Sequence, residues 1–452
     1  MGTKPMAKKA ITISELRTVC KPMPLEGPEL EAFFVETDEA RDPHQRTRQR
    51  LMMALETEPA RLLFYGHPGC GKSTELNKFL AERTKQFLPV KFSVLDEMTP
   101  SNVMAEDLVL VITERVLNAA QRAGLKADER ILRGVYDYFA ETTKKRKTSH
   151  GGSLKAGAGV NTSRSYLGKL IGLFVRFSGE IKVDSYSEET RVFTLRKRPA
   201  ELLAQANKVI EAVRKGLPKG QRLLVVVEDI DKLDLKQARE MYVNNVNLLT
   251  GLAADVIYTI PIYLFHSPDV NAFRHHFDDV IALPMIKVCE PGKDKVPGFD
   301  TAKRIVLERI EQSLIEDGAL DLLIKKTGGV LRHAFDVLHI VATMSGVAAP
   351  ISEKHVRYGL DKLRQTCWQQ IALPADPLPE GPKSVNELFD RLAEYAKKQV
   401  RGKKQLPVSD SINQVLLKCC ALVEYNGKGW FGVHPLVIEN LRTLGRLSDD
   451  AR

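Results

Sequence analysis

Apolar positions along the chain fall into two spacings. Short apolar runs at Arg61–Tyr65, Val90–Leu95, Leu223–Val227, Val256–Phe265 and Val280–Leu283 read as strands. Between them, apolar residues recur at helical spacing over Ser73–Thr84, Ser101–Ala123, Pro199–Lys215 and Leu235–Leu249. Strands alternating with helices predict a parallel sheet with covering helices, an α/β fold.

Beyond Thr301 the strand pattern stops. Three amphipathic helices are predicted, Thr301–Glu316, Ala319–Lys326 and Val330–Met344, and they form a small helical domain. Pro374, Pro377, Pro379 and Pro382 then mark a linker. The next helix, Ser384–Val400, opens with Ser384 and Glu387 at capping-box spacing. A helix over Ser411–Cys419 follows, then Ala421–Tyr425 and Trp430–Val433 flanking the turn Asn426-Gly427-Lys428-Gly429, then a closing helix after Pro435. Helix, helix, hairpin and helix describe a winged-helix module. The expected division is an N-terminal extension (1–45), an α/β domain (46–285), a helical lid (300–370) and a winged helix (384–445).

Composition narrows the class. A chain of 452 residues with 43% hydrophobic and 27% charged residues is expected to fold into two or three domains with ample cores. Its longest uncharged apolar stretch, Val256–Phe265, has ten residues including a proline, too short to span a bilayer, so no integral membrane association and a cytoplasmic location are expected. The six cysteines show no zinc-site spacing and are expected to be reduced. The net charge of +10 is concentrated between Thr142 and Arg198, where thirteen Lys or Arg stand against four acids. That segment is rich in glycine and interrupts the strand–helix alternation, so it reads as an insertion at about 142–198. DNA contact, protein-partner contact and membrane-surface contact through Leu167–Phe177 all suit it, as does a mobile basic loop.

Candidate chemistry starts at Gly66-His67-Pro68-Gly69-Cys70-Gly71-Lys72-Ser73, which fits G-x-x-x-x-G-K-[ST] between a strand and a helix. Gly66, Gly69, Cys70 and Gly71 would turn backbone N–H groups toward phosphates, Lys72 would reach the β- and γ-phosphates, Ser73 would ligate Mg2+, and Thr74 continues the helix start. The segment matches the phosphate-binding loop of P-loop NTPases, and ATP with Mg2+ is the expected pair of cofactors. A second acidic element should end an apolar strand, and Val225-Val226-Val227-Glu228-Asp229-Ile230-Asp231 does so. The usual Asp-Glu order is inverted here. Glu228 stands at the metal position and Asp229 at the water-activating one, and the shorter carboxylate predicts slow hydrolysis.

With these motifs the chain resembles the AAA+ ATPases, in particular their initiator-like and STAND-like branches, over about residues 45–440. The resemblance implies further roles. Ser267 or His266 would fill the sensor 1 position after the strand ending in Tyr263-Leu264-Phe265. Arg274 would be an arginine finger reaching a neighbouring copy in a homo-oligomer. Arg332, in Gly328-Gly329-Val330-Leu331-Arg332, would be the lid's sensor 2, aimed at the γ-phosphate. The expected function is an ATPase acting as an oligomeric, nucleotide-dependent switch on DNA. The alternative is a STAND-like regulatory ATPase that controls an effector protein while its winged helix packs internally.

Overall fold

Five parallel strands share one sheet in the order β2-β3-β4-β1-β5. They are β1 (Arg61–Tyr65), β2 (Phe87–Ser93), β3 (Arg222–Glu228), β4 (Asp255–Ile260) and β5 (Asp279–Ala282). The computed structural model describes residues 7–448, apart from 43, 45, 100–102, 150–164, 183–194, 291–295, 376, 377, 379, 404–407 and 427–429. Side chains alternate between the sheet's two faces. Leu63, Tyr65, Val225, Val227 and Tyr258 enter one core, while Leu62, Phe64, Leu224, Val226 and Ile257 enter the other. Both faces are therefore covered, which is why these strands read as nearly continuous apolar runs. Because the strands are parallel, the residues that follow β1, β2, β3 and β4 all emerge at one edge, where open α/β sheets bind ligands.

Two expected elements differ from those observed. The strand read as Val256–Phe265 ends at Ile260, because Pro261 has no N–H to continue the ladder, and Ile262–Phe265 is instead a short helix. The helix read as Leu235–Leu249 is three pieces, Leu235–Arg239, a π-helical turn Glu240–Asn244 and Val246–Thr250. The Asn245 N–H reaches back five residues to the Glu240 carbonyl at 3.1 Å, and its side-chain amide donates to the same oxygen at 3.0 Å.

The described part of the basic insertion is built into the fold. Helix Tyr166–Lys182 packs on Ala105–Arg122, helix Glu129–Ser149 packs on Tyr166–Lys182 and Pro199–Lys215, and Phe139, Phe174 and Phe177 form a buried triad with ring centroids 5.2–5.8 Å apart. Leu167–Phe177 is thus not free to lie on a membrane, since Leu170, Phe174 and Phe177 are buried. Arg196 pairs with the buried Asp107 through Nε at 2.9 Å and Nη2 at 2.5 Å. The side chains of Lys144, Lys145, Arg146 and Lys147, and residues 150–164 and 183–194, lie outside the described residues.

The helical group expected as a lid, the lid helices below, consists of Pro297–Leu307, Asp317–Thr327, Leu331–Thr343 and a further helix, Glu353–Gln369. The N-terminal residues, expected as an extension, pack against these helices. Ala10 pairs with Ile310, and Leu16, Cys20, Val35 and Ala40 share a core with Leu320, Leu338 and Val356. The C-terminal segment follows the expected order, with helices Val385–Val400 and Ser411–Lys418, an antiparallel hairpin of β6 (Leu422–Asn426) and β7 (Trp430–Val433), and helix Pro435–Thr443. Gly427, Lys428 and Gly429 of the turn lie outside the described residues. This module folds back on the α/β domain: Val423, Tyr425 and Trp430 join the core containing Phe64 and Leu76, and Ser411–Lys418 packs on Ile262–Phe265. No helix among the described residues is long and apolar enough to cross a membrane.

Candidate functional site

A cleft of about 1130 Å³ opens where the phosphate loop, the ends of β2 and β3, the lid and residues 22–37 meet. Its lining includes Gly69, Gly71, Lys72, Ser73, Thr74, Glu228, Asp229 and Arg332, so the structure brings most of the sequence-selected residues together. Gly71 caps the helix Lys72–Glu82 with φ +105° and Gly69 has φ +82°, conformations that a side chain would strain. A Cβ on Gly69 would also stand 2.7 Å from Arg332 Cβ, so the lid arginine sits directly against the loop. The loop thus meets a helix N-terminus on one side and a guanidinium on the other, an arrangement suited to a polyphosphate.

Lys72 is buried. Its Nζ is 2.9 Å from Asp231 Oδ2 and donates to the carbonyls of Gly66 at 2.9 Å and His67 at 3.1 Å. Burial works against its charge, but Asp231 outweighs that effect and holds its pKa above the ordinary lysine value. Asp231 belongs to the acidic stretch selected from sequence, yet its role as partner of Lys72 is visible only in three dimensions.

The two inverted carboxylates have separate environments. Glu228 Oε2 lies 2.5 Å from Lys91 Nζ on β2, while Oε1 is buried without a hydrogen-bond partner. This unpartnered buried carboxylate oxygen and the Ser73 hydroxyl belong to residues lining the same cleft, and both are hard-oxygen donors of the kind that fits Mg2+. Among the described residues no three His, Cys, Asp or Glu side chains cluster as a metal cage, so Mg2+ here would draw its remaining ligands from phosphate and water. Asp229 adopts the left-handed conformation, φ +67°, which short polar side chains tolerate. Ser93 Oγ donates to its Oδ2 at 2.6 Å, and Lys232 Nζ lies 2.6 Å from Oδ1. Burial pushes its pKa up, but these partners more than offset that and hold it below the ordinary aspartate value.

Ser267 is not in the cleft. Because β4 stops at Ile260, Ser267 falls beyond the short helix, where its hydroxyl donates to the Leu264 carbonyl at 2.6 Å and accepts from the Asp269 N–H at 3.2 Å. His266 faces Glu424 of the hairpin, with Nε2 at 3.4 Å from Oε2. Thr259, inside the true β4, lines the cleft, and its Oγ1 donates to the Val227 carbonyl at 3.3 Å. Arg274 lies in the turn Arg274–His276 before β5, away from its own cleft, with Nη1 donating to the Phe277 carbonyl at 3.2 Å.

The loop's other side is held by the C-terminal hairpin. The Glu424 N–H donates to His67 Nε2 at 2.9 Å, and the Met285 N–H donates to the Glu424 carbonyl at 3.0 Å. His67 is fully buried, and burial, reinforced by Lys72 and His266, drops its pKa to about 3, so the ring is a neutral acceptor at Nε2. The lid joins the same module through His333 Nδ1 and His434 Nε2, 3.1 Å apart.

No protein-family model and no curated protein sequence matches the chain. Among solved structures it is similar to the Walker-type ATPase paby2304 of Pyrococcus abyssi, at 12% identity and a TM-score of 0.46, covering 94% of this chain and 99% of that one. A likeness this distant leaves the chemistry to the residues themselves.

Proposed function

We propose that the chain is an ATP- and Mg2+-binding ATPase that works as a regulatory switch, its nucleotide state controlling how firmly the C-terminal module is docked. The observation that carries this reading is that one short loop serves two surfaces: Lys72 faces the cleft while His67 accepts the hairpin's Glu424 N–H. Lys72 also donates to the His67 carbonyl. A polyphosphate that drew the ammonium toward itself would release that carbonyl and change the loop conformation on which the hairpin rests. Ser73 and Glu228 would hold Mg2+, which supplies charge neutralisation of the phosphates. Arg332 would read the phosphate end from the lid. Asp229, kept anionic but tied to Ser93 and Lys232, would orient water and sustain slow hydrolysis. Arg274, outside its own cleft, would serve a neighbouring copy in a homo-oligomer.

The packing favours an effector protein over DNA as the controlled partner. In a winged helix that reads DNA, the helix before the hairpin enters the major groove. Here that helix, Ser411–Lys418, buries Asn413, Gln414, Val415, Leu416 and Leu417, and Lys418 lies over the Tyr263 ring, 5.8 Å from its centroid.

Hydrogen exchange tests the reading. Peptides covering Glu424 should exchange faster when ATP and Mg2+ are added and recover with ADP or no nucleotide. Unchanged exchange at saturating ATP would remove the switch and leave a simple ATPase. Salt-sensitive duplex binding by the purified protein would instead return DNA as the partner.

A further inference from the structure

The cleft has a second buried cation behind the loop, from a segment the motifs did not include. Arg41 ends the short helix Asp38–Arg41 and is almost fully buried. Its Nη2 donates to the Cys70 carbonyl of the phosphate loop at 2.6 Å, its Nη1 to the Pro284 carbonyl and its Nε to Thr37 Oγ1 at 2.9 Å. Among the described ion pairs none involves Arg41. The nearest acid along this network, Glu75, is reached only through Thr37 Oγ1 at 3.3 Å and is shared with Arg48 at 4.0 Å. A buried guanidinium held mainly by neutral carbonyls is costly, and such a group is normally compensated by an anion.

The geometry gives Arg41 two effects on the loop. In a planar trans peptide the C=O and the following N–H point opposite ways. Gripping the Cys70 carbonyl therefore turns the Gly71 N–H away from Arg41. A cation on the carbonyl also polarises that peptide and makes the N–H a better donor. A Cβ on Gly71 would lie 3.5 Å from Nη2, so the charge sits immediately behind the glycine that begins the helix.

We propose that Arg41 is a positioning residue for the nucleotide's polyphosphate. It fixes the Cys70–Gly71 peptide in one orientation, supplies positive charge behind the loop, and makes the docked N-terminal segment part of the binding site. The inference rests on the nucleotide reading above. Its chemistry is selective: Arg41 acts on groups beyond the α-phosphate, so it discriminates ATP and ADP from AMP.

Calorimetric titration of the full chain with ATP, ADP and AMP, each with Mg2+, tests it in the parent, Arg41→Met and Arg41→Lys. Arg41→Met should weaken ATP and ADP by about 10–100-fold, the range for a charge-assisted hydrogen bond, while leaving AMP within about threefold. Arg41→Lys, which restores charge without the planar fork, should fall between. A purely structural arginine would lower the melting temperature and leave the ATP-to-AMP affinity ratio unchanged, and that ratio overturns the proposal. Should Arg41→Met fail to fold, the same ratio in Arg41→Lys decides. A parent chain that binds no ATP would defeat the nucleotide reading itself, whereas a binding parent with an equally binding Arg41→Met defeats only this inference.

Discussion

The phosphate loop is held on two sides by opposite kinds of chemistry. Its cleft side is built from charges, with Lys72 against Asp231, Arg332 against Gly69 and Glu228 against Lys91. On its hairpin side the loop is held by a neutral contact: buried His67 accepts from the Glu424 N–H, next in the hairpin to Tyr425, whose ring lies 4.9 Å from that of Trp430. A charged wall changes its free energy steeply when a polyanion arrives. A neutral hydrogen-bonded wall does not sense the anion directly and responds only if the loop between them moves. In the proposed switch the loop would be the transmitter, and substitutions on the two sides should have separable effects.

The largest effect belongs to the charged side. Lys72→Ala should abolish ATP binding in calorimetry, with a loss of at least about 100-fold. It should also destabilise the free protein by about 3–5 kcal/mol, because Asp231 is left buried without its partner. Adding Asp231→Asn should recover much of that stability and none of the binding. Retained ATP affinity in the double variant would show that the cation is not a phosphate ligand.

Acid should act on the neutral side. His67 and His434 are buried neutral, burial being the main cause, with pKa values of about 3 and about 4 against about 6.5 in the unfolded chain. The unfolded state then binds more protons between pH about 6.5 and about 4, so stability is full above that window and falls as pH drops through it. Each histidine should cost about 2 kcal/mol at pH 5, at 1.36 kcal/mol per pH unit. Thermal melts at pH 7 and pH 5 measure this, and His434→Gln should flatten the slope.

Asp229→Asn should cut ATP turnover by about 100-fold while ATP still binds, since a correctly held carboxylate contributes roughly that factor in proton transfer. Equal turnover in a single-turnover assay would remove Asp229 from the chemistry.

How far these sides were legible in the sequence follows from how local each one is. The loop and the β3 acids lie in contiguous motifs whose strand and helix context could be read directly, and the five strands were all found. Ser267 was expected at the cleft because the apolar run continues unbroken through Ile262–Phe265, as if one strand carried it there. Pro261, with no N–H for the ladder, ends β4 at Ile260 instead, and the short helix that follows carries Ser267 away. Asp231 was in view without a role, because its partner is 159 positions away along the chain. The hairpin's docking and the Arg41 contact join positions 357 and 243 residues apart, and no spacing rule carries such information.

The smallest change is the one that separates transmission from mere support. His67→Ala removes one acceptor and leaves the Glu424 N–H buried and unpaired, a cost of about 1–3 kcal/mol. His67→Gln, which retains an acceptor, should recover part of it. If the hairpin holds the loop in the arrangement where Lys72 donates to the Gly66 and His67 carbonyls, weakening the hairpin frees that ammonium, and ATP should bind the Ala variant as tightly as the parent or tighter even though the protein melts earlier. Stability and affinity would then move in opposite directions. If both fall together, His67 only braces the loop, and the neutral side has no part in controlling the charged one.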